Sequence, residues 1–117
     1  MKPALRRNSA GRGVALEVVS SPDRAAVGRQ LELGRATAVI GRDFVGVGLL
    51  IDDPRMSRIH AQVTLDPDLG ACRFTNAGSK NGSFADTERI ESALAGDGTV
   101  LRVGDTLLVV RGPARDR

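Results

Sequence analysis

At 117 residues the chain is long enough for one domain with a modest core and too short for two. Apolar residues make up 41%, but with no Trp, no Tyr and only Phe44, Phe74 and Phe84 the core must be aliphatic. A net charge of +3 and a sequence pI near 10.0 invite a nucleic-acid reading, which the location of the charge opposes: residues 13–110 hold ten cations against thirteen carboxylates, net −3, and no aromatic platform for stacked bases.

Residues 1–13 carry Lys2, Arg6, Arg7 and Arg12 with little apolar pattern, and read as a flexible basic leader. No apolar stretch of signal-peptide length follows Met1. Residues 14–19 read as a strand, Pro22-Asp23 as a turn, residues 28–34 as a partner strand with Leu31 and Leu33 on one face, and residues 37–40 as a third strand. After a glycine-bearing loop comes Leu49-Leu50-Ile51, stopped by Asp52-Asp53-Pro54. Residues 59–65 show the clearest period-two pattern, with Ile59, Ala61, Val63 and Leu65 alternating with His60, Gln62 and Thr64. Residues 66–70 form a turn into a strand over 71–75, so the two segments predict an antiparallel hairpin. Cys72, the sole cysteine, falls in that strand as a buried, inert thiol. Short strands follow at 83–85, 89–90, 99–102 and 106–111, with Gly104-Asp105 as a turn; residues 88–95 are the one stretch open to a helical turn.

Many short strands divided by Gly, Pro and Asp, with no repeat and no internal linker, predict an all-β sandwich of two sheets. No apolar run approaches the roughly 20 residues of a membrane span, so no membrane association and a cytoplasmic location are expected. A single Cys and a single His leave metal and Cys–His chemistry without partners, and no cofactor is expected.

Three loop stretches concentrate Arg, Ser, Lys and Asn beside Gly: Gly41-Arg42, Ser57-Arg58-Ile59-His60, and Gly78-Ser79-Lys80-Asn81-Gly82-Ser83. Such loops can hold an anion without reacting with it. By position alone Arg42 reads as a surface cation pairing with Asp43 or Asp52, Ser57 as a turn cap after Pro54, and Asn81-Gly82 as a plain hairpin turn in which Gly82 permits a positive φ. Lys80 lacks the glycines of a Walker-type phosphate loop. A serine-hydrolase reading fails because only His60, three residues along the chain, is available as a base for Ser57.

From about Val14 to Arg111, these motifs in this order and spacing resemble the forkhead-associated (FHA) domain, a phosphothreonine-reading module. The resemblance implies a two-sheet sandwich of ten or eleven short strands over residues 14–111, binding loops at one end, a flexible tail over 112–117, and no enzymatic activity. It implies that Arg42 and Ser57 bind phosphate, that Arg58 is a variable electrostatic helper, that Ser79 and Lys80 flank the phosphate, and that Asn81 holds the peptide backbone beside the phosphoresidue. Gly41, His60 and Gly82 are then structural, His60 bracing the loops by hydrogen bonding. The partner implied is a phosphothreonine-containing protein or peptide, with no nucleic acid bound by this domain. Departures are the apolar loop over 43–48, Asp86-Thr87 where the family commonly has Asn-Gly, Ser83 in place of Thr and Asn76 in place of Asp. The loop suggests the alternative of a degenerate module acting as a phosphate-independent scaffold or self-association surface. The closing stretch, residues 101–111, is similar to the end of FHA domains that precede the ATPase of bacterial sigma-54-dependent, enhancer-binding activators, which implies further domains and a role in bacterial signalling or transcription regulation.

Overall fold

The computed structural model describes residues 13–113. Short β-rich segments with inward aliphatic residues and glycine-bearing turns give eleven strands: β1 (Ala15–Ser20), β2 (Gln30–Glu32), β3 (Ala38–Gly41), β4 (Gly48–Leu50), β5 (Ala61–Asp66), β6 (Ala71–Asn76), β7 (Ser83–Ala85), β8 (Glu88–Ile90), β9 (Ser92–Ala95), β10 (Val100–Val103) and β11 (Thr106–Arg111). A 3-10 turn covers Arg24–Ala26. The strands form a six-stranded sheet in the order β2-β1-β11-β10-β7-β8 and a five-stranded sheet in the order β4-β3-β5-β6-β9. All pairs are antiparallel except β3 with β4. Inner faces of the two sheets close over Leu16, Val18, Ile40, Val63, Phe74, Leu101, Leu108 and Val110, each fully buried. This is the predicted all-β sandwich, with a core that is aliphatic apart from Phe74.

The β5–β6 hairpin forms as predicted, in register from Ala61 with Asn76 to Asp66 with Ala71. Its turn is closed by the Leu69 amide donating to Asp66 Oδ1 at 3.1 Å and by Gly70 at φ 61. Cys72 is buried on β6, where burial pushes its thiol up to about 11 and leaves little nucleophilic thiolate. One expectation is reversed at the start of this hairpin. The alternation places Ile59 on the core side and His60 on the polar side, whereas Ile59 is 47% exposed and His60 is fully buried. The regular strand begins only at Ala61, and the chain bends over 58–60, so those side chains leave the period-two pattern.

Residues 88–95 are not helical. They are β8 and β9, which belong to different sheets, and Glu91 is the crossing point. Asp86-Thr87 forms the two-residue turn of the β7–β8 hairpin, since Ala85 pairs with Glu88. Both residues take positive φ, 46 and 73, so the strain that a β-branched Thr brings there is accepted, not avoided. The leader and tail expectations fall mostly outside the described residues. Within them, the packed chain continues past Arg111: Gly112 is buried and donates to Asp97 Oδ1 at 2.9 Å, and Pro113 lies beside Gly70.

Candidate functional site

Glycine is required where β3 ends. A Cβ on Gly41 would stand 1.9 Å from the Arg58 carbonyl oxygen, so only Gly lets the loop after β3 lie flat against residues 57–59. The two segments are then joined by backbone bonds, Arg42 N–H to Ser57 O and Asp43 N–H to Arg58 O, both 3.1 Å. Arg42 is exposed and donates Nε–H to Met56 O at 2.9 Å, which fixes the guanidinium while its terminal nitrogens have no partner among the described residues. The pairing with Asp43 or Asp52 that its position suggested is replaced by this carbonyl anchor.

His60 lies beneath the loops. Its Nδ1 accepts from the Ser57 amide at 3.0 Å, so the proton is on Nε2, which donates to Gly82 O at 2.8 Å. Burial lowers its pKa below the ordinary 6.5, against smaller raising effects of the Gly82 bond and Asp53, and the ring is neutral. One imidazole thus joins the Ser57 turn to the far end of the 79–82 turn. Those turns meet a second time where the Lys80 amide donates to Ser57 Oγ at 3.1 Å. Accepting that bond leaves the Ser57 hydroxyl proton to give.

The 79–82 turn is held from within. Asn76 Oδ1 accepts from Ser79 Oγ at 2.5 Å and from the buried Ser83 Oγ at 2.7 Å, and the Gly82 amide donates to Ser79 Oγ at 3.1 Å. Ser79, expected beside a phosphate, therefore has no hydroxyl proton left to offer one. Its role in this geometry is to shape the turn, together with Gly82 at φ 82. Asn81 donates Nδ2–H to Arg55 O at 2.8 Å, which orients its amide and leaves Oδ1 as an acceptor at the surface. Asn76 and Ser83 have polar roles that their differences from the family pattern did not disclose.

Asp53 escaped sequence reasoning, where Asp52-Asp53-Pro54 read only as the end of a strand. It is fully buried, and its carboxylate accepts from the Arg55 amide (2.9 Å), the Asp105 amide (2.8 Å) and Thr106 Oγ1 (2.7 Å). Gly104 makes room for it, since a Cβ there would lie 2.8 Å from Asp53 Oδ2. A buried carboxylate of this kind has no periodicity to betray it: one donor, the Arg55 amide, is two residues along its own loop, but the other two come from the turn before β11 and from the start of β11 in the opposite sheet. The nearby Arg55–Asp105 pair, 3.6 Å apart and largely exposed, adds little.

These bonds join the loops that carry Arg42, Ser57, Arg58 and Lys80, with Arg55 tied to Asn81 and with Gly41, His60 and Gly82 as supports. Arg42, Arg58 and Lys80 are exposed there, a concentration of positive charge on a body of net −3. A hydroxyl proton, two guanidiniums and an ammonium suit an anion with several acceptor oxygens. Among the described residues no cluster of His, Cys, Asp or Glu has the arrangement of a metal site.

Comparison with known proteins agrees with this architecture. The CT664 protein of Chlamydia trachomatis contains an FHA domain that superposes with a TM-score of 0.76 at 23% identity, over 87% of this chain and 99% of that one. An FHA domain studied for phosphothreonine-dependent interactions gives 0.75 at 22% identity, over 88% and 99%. The MEK1 FHA domain, solved with a phosphothreonine peptide of HOP1, gives 0.68 at 17% identity, over 86% and 97%. No curated protein sequence matches significantly. The family model of the FHA domain matches residues 38–109, more than half of the chain and all three site loops, and the chain belongs to the FHA family.

Proposed function

We propose that the chain is a phosphothreonine-binding module that mediates phosphorylation-dependent protein–protein interaction and carries out no chemical step. The observation that carries this reading is the double tie of Ser57 to the loops on either side. Arg42 N–H bonds to Ser57 O and Lys80 N–H to Ser57 Oγ, both at 3.1 Å, which joins the three loops and supports a shared site for the exposed Arg42 and Lys80 and the Ser57 hydroxyl. Arg42 and Ser57 bind the phosphate directly, Arg58 and Lys80 supply field, and Asn81 Oδ1 accepts from the peptide backbone. Ser79, Gly41, His60 and Gly82 hold the loops. The FHA domains solved or studied with phosphothreonine ligands support the reading through their shared fold. The partner is a phosphothreonine-containing protein, and the similarity of residues 101–111 to activator-linked FHA domains favours a regulatory setting.

A phosphothreonine brings nearly two negative charges and three acceptor oxygens, enough for Arg42, Ser57 and Lys80 together. A Glu brings one charge in a planar carboxylate. Phosphoserine keeps the phosphate but loses a methyl worth about 0.8 kcal/mol, roughly fourfold in affinity. Calorimetric titration with four matched peptides is expected to rank phosphothreonine above phosphoserine, with Glu and unmodified Thr silent. Equal binding of phosphorylated and unmodified peptides would instead support a phosphate-independent scaffold, the second reading, which is favoured by the fully exposed Val45 and the half-exposed Val47 beside Arg42.

A further inference from the structure

The β7–β10–β11 part of the six-stranded sheet has side chains on its outer face that the loop site does not use. The register sets Arg89 opposite Phe84, Phe84 opposite Arg102, and Arg102 opposite Leu107. Ser83, Leu101, Val103 and Leu108, one residue along β7, β10 and β11, are buried on the core side, and Ile90, one residue along β8, packs partly against the core, so Arg89, Phe84, Arg102 and Leu107 form a row facing outward. The Arg102 guanidinium carbon lies 5.0 Å from the Phe84 ring centroid, and Arg102 Nε–H donates to Gly104 O at 3.3 Å. Between these strands is a groove of about 410 Å³, lined by Phe84, Asp86, Thr87, Val100, Arg102 and Leu107.

One wall of the groove is the strained Asp86-Thr87 turn, with φ 46 and 73. Two bonds brace it: the Asp86 amide donates to Val100 O at 2.8 Å, and the Val100 amide to Asp86 Oδ1 at 2.9 Å. Positive φ at both residues is the ordinary geometry of a two-residue hairpin turn, and the two bonds fix this wall of the groove in place. The row also begins at the loop site. A Cβ on Gly82 would stand 2.9 Å from the Arg89 guanidinium carbon, so Arg89 lies over the last residue of the 79–82 turn. Neither Arg89 nor Arg102 forms an ion pair among the described residues.

We propose that this groove is a second docking surface, which takes an apolar side chain adjacent to acidic residues in the segment flanking the partner's phosphothreonine. The floor of Phe84, Val100 and Leu107 fits the apolar side chain, and Arg89 and Arg102, which have no ion pair among the described residues, fit the carboxylates beside it. A segment leaving the 79–82 turn meets Arg89 first and then the groove. Two residues along β7, roughly 7 Å, and two strand spacings across the sheet, roughly 10 Å, put Leu107 about 12 Å from Gly82, which an extended peptide crosses in roughly four residues. The proposal rests on the phosphothreonine reading for its point of entry and adds a determinant that a short phosphopeptide does not reach.

The test uses a nine-residue phosphothreonine peptide with alanine flanks and two longer ones, in which five alanines and then Leu-Glu-Glu are appended before or after that core. Calorimetry on the full chain is expected to show one extended peptide binding about tenfold more tightly than the core, an apolar contact plus exposed ion pairs. Arg102→Ser or Val100→Glu is expected to remove that gain and leave the core affinity unchanged. Neither extension gaining more than twofold, or the gain surviving in both variants, overturns the proposal. If the core peptide does not bind at all, the phosphothreonine reading fails separately. Amide chemical shifts with the extended peptides then decide the groove: movement at Phe84, Thr87, Val100 and Leu107 sustains it, and none overturns it.

Discussion

Arg42 and His60 are both polar and both belong to the site, but their environments give them opposite mutational signatures. Arg42 is exposed, and among the described residues its side chain is anchored only through Nε. Arg42→Ala is therefore expected to abolish phosphopeptide binding in calorimetry while the melting temperature hardly changes. His60 is fully buried and joins two loops, so His60→Ala orphans the Ser57 amide and the Gly82 carbonyl and is expected to lose about 1–3 kcal/mol of stability as well as affinity. Its titration gives a further test. Because burial lowers the folded pKa below 6.5, the unfolded chain takes up the proton first. The stability associated with the neutral ring is complete above pH 6.5 and is lost as pH falls from there through the folded pKa. Urea midpoints across that window are expected to fall more steeply for the native chain than for His60→Ala. At this scale Gly41, Arg42, Ser57 and His60 stood out as short contiguous motifs, while the roles expected of them came from the family resemblance and not from the motifs themselves. The commitment of the Ser79 proton to Asn76 was not, since it depends on where a neighbouring strand ends.

Among the elements, the β7–β8 hairpin shows how a strand pair tolerates an unfavourable turn. A two-residue turn with both φ positive prefers Asn-Gly, yet Asp86-Thr87 forms it. The register of Ser83 with Ile90 and Phe84 with Arg89, with the Asp86 side chain closing onto Val100, keeps the turn in place. Thr87→Gly should relieve the left-handed strain and raise stability by about 1 kcal/mol in thermal or urea unfolding. A loss of stability would mean that the threonine side chain contributes more to the groove wall than its backbone costs. The two neighbouring strands were legible only in part. The alternation over 59–65 and the turn after it predicted a hairpin with 71–75, which forms between 61–66 and 71–76. Glu88 to Ala95 shows no clean period, because β8 and β9 pack in different sheets and bury different faces.

On the scale of the molecule, the two sheets share a polar tie as well as a core. Asp53 follows β4 of the five-stranded sheet and accepts from Thr106 Oγ1 at the start of β11 in the six-stranded sheet. Asp53→Ala would strand three buried or part-buried donors and is expected to cost about 3 kcal/mol or more in urea unfolding, with weaker phosphopeptide binding because residues 52–58 lose their anchor. The sequence by itself determined the sandwich class, most strand positions, the aliphatic core and the three loop motifs. These follow from period-two burial, from turn chemistry and from short contiguous patterns, all local in the chain. The tertiary structure alone decided that Asp53 is the buried brace and that His60, not Ile59, turns inward. It likewise decided that Arg89, Phe84 and Arg102 form one row leading away from the loop site. Each of these depends on residues far apart in the chain, brought together by sheet register and loop closure, and no local pattern of side chains encodes that distance.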